Sequence, residues 1–129
     1  MCGLGQYLYS LLDQLLTNMP YPINEDKRLE ALHRYQILDT LPEEAFDRLT
    51  ELASLICQTP ISLVSLIDKD RQWLKSKVGL DIQEISRDLA FCSYAILDSH
   101  LFEIEDMAQD ERFRENPFVT DNPNIRFYA

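Results

Sequence analysis

Apolar residues fall at helical spacing in several stretches of the chain. Leu4, Tyr7, Leu8, Leu11, Leu12, Leu15, Leu16 and Met19 recur at i, i+3, i+4 and i+7, which predicts one broad apolar helix face. The turn around Pro20 and Pro22 separates this helix from the rest of the chain. Residues 1–21 are therefore expected to form an N-terminal amphipathic helix, and 22–129 a domain. So apolar a face needs cover, from its own domain or from a second copy of the chain. Asn24 is placed to cap a second helix, with Glu25 and Asp26 at its positive end and Leu29, Leu32 and Tyr35 on its face. Thr40 to Glu43 (Thr-Leu-Pro-Glu) reads as a capping box. It opens a third helix in which Phe46, Leu49, Leu52, Ala53 and Ile56 continue to about Gln58, before Pro60.

The period then changes. Residues 61–67 (ISLVSLI) are a nearly continuous apolar run, the pattern of a strand buried on both faces. Asp68-Lys-Asp70 is a tight polar turn, and residues 71–78, with Trp73 and Leu74, read as its hairpin partner, closed by Gly79. Ser86 is a candidate cap for a helix over 87–97, with Asp88 in the first turn and Leu89, Cys92 or Ser93, and Ile96 facing inward. Residues 101–107 alternate Phe102 and Ile104 with Glu103 and Glu105, predicting a half-exposed strand. Asp110 opens a short helix to Arg114. Asn116-Pro117 and Asp121-Asn122-Pro123 are turn chemistry, and 125–129 begins another strand. The sum is an α+β fold whose sheet lacks partners for its last strand, so its final strands are expected to be missing from this chain.

Composition narrows the function. A chain of 129 residues suits one domain, and 46% apolar with 26% charged residues excludes a disordered or fibrous chain. No apolar run approaches the roughly 20 residues of a membrane-spanning helix. Twelve Lys and Arg against 22 Asp and Glu leave a net charge of −10, which disfavours nucleic acid and anionic membrane surfaces as partners. With Gly3, Gly5 and Gly79 as the only glycines, no phosphate-cradling loop is present. Cys2, Cys57 and Cys92 are dispersed, and His33 and His100 stand alone, so no metal site and no cofactor is expected. The N-terminus lacks the positive region of a signal peptide, and dispersed cysteines suit a cytoplasmic protein with reduced thiols.

Five stretches taken in order carry a resemblance. Residues 24–44, from Asn-Glu-Asp-Lys-Arg-Leu-Glu-Ala-Leu to Ile-Leu-Asp-Thr-Leu-Pro-Glu-Glu, are similar to the leading helices of a GAF domain. The subtype is the one found at the front of bacterial sensor histidine kinases and diguanylate cyclases. The further matches are 60–68 (PISLVSLID), 70–73 (DRQW), 87–92 (RDLAFC) and 110–117 (DERFRENP), with 125–129 (IRFYA) at the end. The resemblance implies a central antiparallel sheet of five or six strands flanked by helices, cut short at its C-terminal end. It also implies a sensory or regulatory module of a signal-transduction protein, attached to an output domain. Such a module binds a small molecule or mediates dimerisation, without catalysis of its own, and here a homodimer through the N-terminal helix is expected.

The resemblance also directs attention to particular residues. Photoreceptor GAF domains attach a bilin through a cysteine, which makes Cys92 the candidate attachment site in an alternative reading; a small buried thiol is the plainer one. Trp73, Phe91 and Tyr128 are candidates to line an apolar ligand pocket or to be ordinary core. Asp106 and Arg126 are candidates for its mouth, where Arg126 would meet an anionic group. Arg87, Asp88 and Arg112 also lie beside apolar runs and, if buried, must be paired. No nucleophile triad or two-carboxylate arrangement is recognisable by spacing.

Overall fold

The computed structural model describes residues 20–129, so the predicted helix over 4–19 lies outside the described residues. The fold is α+β: helices with a three-stranded antiparallel sheet. The chain divides into two compact units, one spanning 24–90 and the other containing 91–129.

In the first unit, α1 (Glu25–Arg34) starts after Asn24, whose side chain makes no capping bond; its carbonyl accepts from Arg28 N–H at 3.0 Å. The capping box expected at Thr40 does not form. Helix α2 (Glu44–Cys57) begins four residues later, with Glu43 extended at its N-cap. Pro42 accounts for the delay, because the residue before a proline is driven out of helical geometry. Thr40 instead donates to the Ile37 carbonyl at 2.6 Å. The stop at the other end is made by Gln58, left-handed at φ 52°, rather than by Pro60, and Ser54 Oγ closes the turn by donating to the Thr59 carbonyl at 2.7 Å.

The predicted hairpin is present. Strand β1 (Ser62–Ile67) pairs with β2 (Arg71–Val78), from Ile67 opposite Gln72 to Ser62 opposite Val78, with a bulge between Val64 and Ser65. The expectation that β1 is buried on both faces is corrected: only Ile67 is buried, because β1 has one neighbour in the sheet. The doubly covered strand is β2, which is central and buried from Gln72 to Ser76 despite its polar residues. Its other neighbour is β3 (Glu84–Ser86), a strand the sequence pattern did not suggest, paired with Arg71–Trp73.

The helix expected over 87–97 is broken in two. A 3₁₀ turn (Arg87–Leu89) and the short α3 (Cys92–Ala95) flank Ala90, which is extended at ψ 116°. Arg87 explains the break, since both its backbone and its side chain are fixed elsewhere. Its N–H donates to the Asp70 carbonyl at 3.0 Å, and its guanidinium, 2% exposed, donates through Nη1 to Glu25 Oε1 at 2.5 Å and to the Asp68 carbonyl at 3.0 Å. Arg28 completes this ionic knot. It donates to both Glu25 oxygens, at 2.8 and 2.7 Å, and to the Ile67 carbonyl at 2.6 Å. The knot ties α1 to the β1–β2 turn.

In the second unit, the strands expected at 101–107 and 125–129 shrink to one antiparallel bridge, Ile104 with Tyr128. The expected helix at 110–114 is a turn, in which Phe113 and Arg114 N–H donate to the Asp110 carbonyl. The helix lies just beyond it. Asn116 caps α4 (Pro117–Thr120) by accepting from Phe118 N–H at 3.0 Å, with Pro117 at the first helical position. The core of this unit is Phe91, Ile104, Met107, Phe113 and Val119.

The ionic knot makes stability depend on pH. Burial would raise the Glu25 carboxyl, but bonds from Arg28 and Arg87 outweigh it and hold the group below its usual value. Asp68 is likewise held low: burial opposes, while the Lys69 N–H, His33 and Arg71 prevail. Carboxyls lowered on folding add stability that is full above their unfolded values and is lost as pH falls through their folded values. Thermal midpoints should therefore drop as pH falls below about 4, and Glu25→Gln should flatten that drop while lowering the midpoint at pH 7. Separately, Gly79 adopts φ 80°, and a Cβ there would lie 1.9 Å from the Pro60 carbonyl oxygen. Gly79→Ala should cost about 2 kcal/mol or more in urea unfolding.

Candidate functional site

A cleft of about 560 Å³ opens in the 24–90 unit, between the first turns of α2, the segment 39–42 and β2. Its position results from the late start of α2, which leaves residues 39–43 as a non-helical rim beside the central strand. The side chain of Lys75 is fully buried. Its ammonium donates to Thr40 Oγ1 at 2.7 Å, to the Leu41 carbonyl at 2.8 Å and to Glu43 Oε1 at 2.6 Å. All three N–H donors are thereby used. The rings of Phe46 and Trp73 lie 5.4 and 5.9 Å from Nζ, a cation–π arrangement in a shielded place. Asp39 carries the rim outward by accepting both Nη groups of Arg71, at 2.9 and 2.7 Å, and this pairing, against a little desolvation, holds its carboxyl below the usual range.

The wall between α2 and β2 is polar. Ser76 donates to Asp47 Oδ1 at 2.6 Å and shares a 2.8 Å contact with Thr50 Oγ1, which in turn reaches the Asp47 carbonyl at 2.9 Å. Thr50 and Ser76 are buried. A chain of satisfied hydroxyls with one carboxylate gives this wall fixed donors and acceptors, which suits recognition of a polar ligand. Of these residues the sequence pointed to Thr40 alone, and as a helix cap; Lys75, Ser76 and Thr50 were not singled out. The sequence of β2, Arg-Gln-Trp-Leu-Lys-Ser-Lys-Val, is mostly polar, so Lys75 and Ser76 carry no local mark that separates them from residues of an exposed strand.

The candidates named from the sequence separate. Trp73 is buried in the 24–90 unit and lines the cleft. Phe91, Cys92 and Tyr128 meet in the other unit: the Phe91 and Tyr128 rings are 5.7 Å apart, edge to face, and Cys92 Sγ lies 3.0 Å from Tyr128 Oη. Burial, with a contribution from Cys92, pushes the Tyr128 phenol well up. Phe91 also stacks edge to face on Phe113 at 5.3 Å. Asp106 is exposed and accepts from Ala108 N–H at 3.0 Å. Arg126 donates to the Val119 and Ile125 carbonyls at 2.8 and 3.1 Å. Arg112 lies over the rings of Tyr94, Phe102 and Phe113, held by Asp110. Among the described residues no group of three His, Cys, Asp or Glu side chains could hold a metal ion, and no helix is long and apolar enough to cross a membrane.

An α+β unit with a polar-walled cleft is the class that fold and site define. No family model matches the chain. Over 110 residues it is 42% identical to a cyclic di-GMP phosphodiesterase of Pseudomonas aeruginosa, a match that covers 85% of this chain. The chain spans about a fifth (19%) of the length of that relative. The expectation of a chain that is not an enzyme, with no catalysis of its own, is overturned by this likeness, because the relative is named as an enzyme. The likeness does not favour the bilin-binding alternative at Cys92.

The rim is held chiefly by one ammonium, so Lys75→Met should loosen it locally. Hydrogen exchange of the amides between Asp39 and Glu44 should speed up about tenfold, while those of β1 and β2 stay protected. Unchanged exchange at the rim would show that Lys75 does not hold it.

Proposed function

We propose that this chain is a regulatory, GAF-like segment of a cyclic di-GMP phosphodiesterase, spanning about residues 22–129. The observation that carries the reading is the 42% identity, over most of this chain, to a phosphodiesterase for cyclic di-GMP. The order of the short motifs between Asn24 and Ala129 supports the GAF assignment. In this reading the cleft beside β2 takes a small polar ligand. The ligand acts by competing for Lys75 and the Asp47–Ser76 pair, and so shifts the rim of residues 39–43 between a tied and a released state. A ligand moves such an equilibrium only by its difference in affinity for the two states.

The test is a replacement in the Pseudomonas relative. Its matching 110 residues are first deleted and then exchanged for the corresponding residues of this chain, and hydrolysis of cyclic di-GMP is monitored. Deletion should change the basal rate several-fold, and the exchange should restore it. A rate indifferent to both changes would refute a regulatory role. An exchanged enzyme that responds to Lys75→Met would tie the effect to the cleft.

A further inference from the structure

The two walls of the cleft beside β2 carry opposite charge. On the helix side, Glu43, Asp47 and Glu51 follow one another at four-residue steps, which sets three carboxylates in a stripe from the N-cap of α2 along one face. Asp47 and Glu51 line the cleft directly. On the sheet side stand Lys75 and Lys77, with Ser76 between them. The bulge in the hairpin falls at Lys75: Val64 pairs with Ser76 and Ser65 with Leu74, so Lys75 is the extra residue, opposite no residue of β1. A bulge re-aims a side chain, and this one delivers the ammonium to the rim. Two of the three groups that hold it there, Thr40 Oγ1 and the Leu41 carbonyl, are neutral. The third, the Glu43 carboxylate, is its one charged partner and is 58% exposed.

We propose that the cleft binds a free amino acid, whose carboxylate takes the place of Glu43 on Lys75 and whose ammonium meets Asp47 and Glu51. The inference rests on the reading of this cleft as a regulatory ligand site. Exchanging one carboxylate for another keeps the buried ammonium paired, whereas loss of Glu43 without a replacement would leave it buried and without a counter-charge. Glu43 itself returns to water at little cost, because it is already largely exposed. It is also the N-cap of α2, so its release frees the residue that joins the rim to the helix. Asp47 has an oxygen to spare: Ser76 donates to Oδ1, and Oδ2 receives no bond among the described residues. A ligand that is only an anion would lie against the acidic stripe, on a chain of net charge −10, and one that is only a cation would face two lysines. A zwitterion answers both walls. Leu41, Pro42 and Trp73 also line the cleft and suit an apolar side chain.

Titration calorimetry of the 129-residue chain with L-leucine and with L-phenylalanine should show saturable binding of at least one of them. For the amino acid that binds, the N-acetyl derivative, which lacks the ammonium, and the amide, which lacks the carboxylate, should each bind about tenfold more weakly or worse. Glu43→Gln removes the competing charge and should tighten binding of the amino acid about fivefold. Asp47→Asn keeps the oxygen that accepts from Ser76; it should weaken the amino acid about tenfold and leave its N-acetyl derivative unchanged. Melting temperatures near that of the unsubstituted chain verify that both variants fold. Four results would overturn the proposal: neither amino acid binds, a derivative binds as tightly as its parent, Glu43→Gln brings no gain, or Asp47→Asn weakens parent and N-acetyl derivative alike. Each strikes the ligand class alone. The regulatory reading is tested apart from it by the exchange in the Pseudomonas relative, which is followed through hydrolysis of cyclic di-GMP with no amino acid added.

Discussion

The 24–90 unit depends on one buried ionic contact. Arg87 is 2% exposed and answers Glu25 across 62 positions of sequence. A guanidinium in that place is costly unless its partners stay. Glu25 sits in the first turn of α1, where the helix dipole already favours a carboxylate. Arg28 then locks the same carboxylate from the other side while reaching the last carbonyl of β1. One acid thus fixes the start of a helix, the end of a strand and the exit from the sheet. That demand on Arg87 is also why the backbone cannot continue as a helix through Ala90.

The second constraint is the polar character of β2. A central strand must bury alternate residues on both faces, and here that includes Gln72, Lys75 and Ser76. Each buried polar group needs a partner, and each partner organises something nearby. Gln72 donates to Ser65 at 2.8 Å beside the bulge in β1. Ser76 draws Asp47 and Thr50 onto the sheet, which turns the polar side of α2 inward and leaves its leucines outside. Lys75 draws in the rim. The cleft and the outward leucines of α2 are therefore two consequences of one choice, polar residues in the middle strand.

How much of this was legible in the sequence depends on whether local pattern or distant pairing decided the outcome. The hairpin was legible: the nearly continuous apolar run at 61–67 and the Asp68-Lys-Asp70 turn are local signals, and both strands lie within a residue of their predicted bounds. Helices α1 and α2 were legible for the same reason, although the periodicity of Leu49, Leu52 and Ile56 identified a helix without revealing which side would face the sheet. The capping box failed because the local restriction at Pro42 outweighed a motif match. The 87–97 helix failed because the obligation of Arg87 lies far away in sequence, and β3 was missed because three residues carry too little pattern. Alternation at 101–107 was real, but against 125–129 it made only the Ile104–Tyr128 bridge and one further backbone bond, from Met107 N–H to the Arg126 carbonyl, so it gave a bridge and not a strand. Of the named site residues, Trp73 reached the cleft, whereas the lysine and hydroxyls that shape its walls gave no signal that differs from an ordinary surface residue.

The rim explains why a cleft in this position suits regulation better than a rigid pocket would. Residues 35–43 contribute little buried apolar area: Tyr35 is 81% and Leu41 83% exposed. Gln36 and Asp39 sit at positive φ, a conformation that costs non-glycine residues energy and persists only when other contacts impose it. Those contacts are polar and few, namely Lys75 to three rim acceptors and Arg71 to Asp39. A segment held by burial resists a polar ligand, because the ligand offers no substitute for lost apolar contact. A segment held by one ammonium and one guanidinium can be released by any group that satisfies them as well. Local strain then favours departure of the rim, and the remaining anchors, with Pro42 fixing the start of α2, limit how far the change travels. In the proposed reading, the same lysine that ties the rim sets the threshold for releasing it.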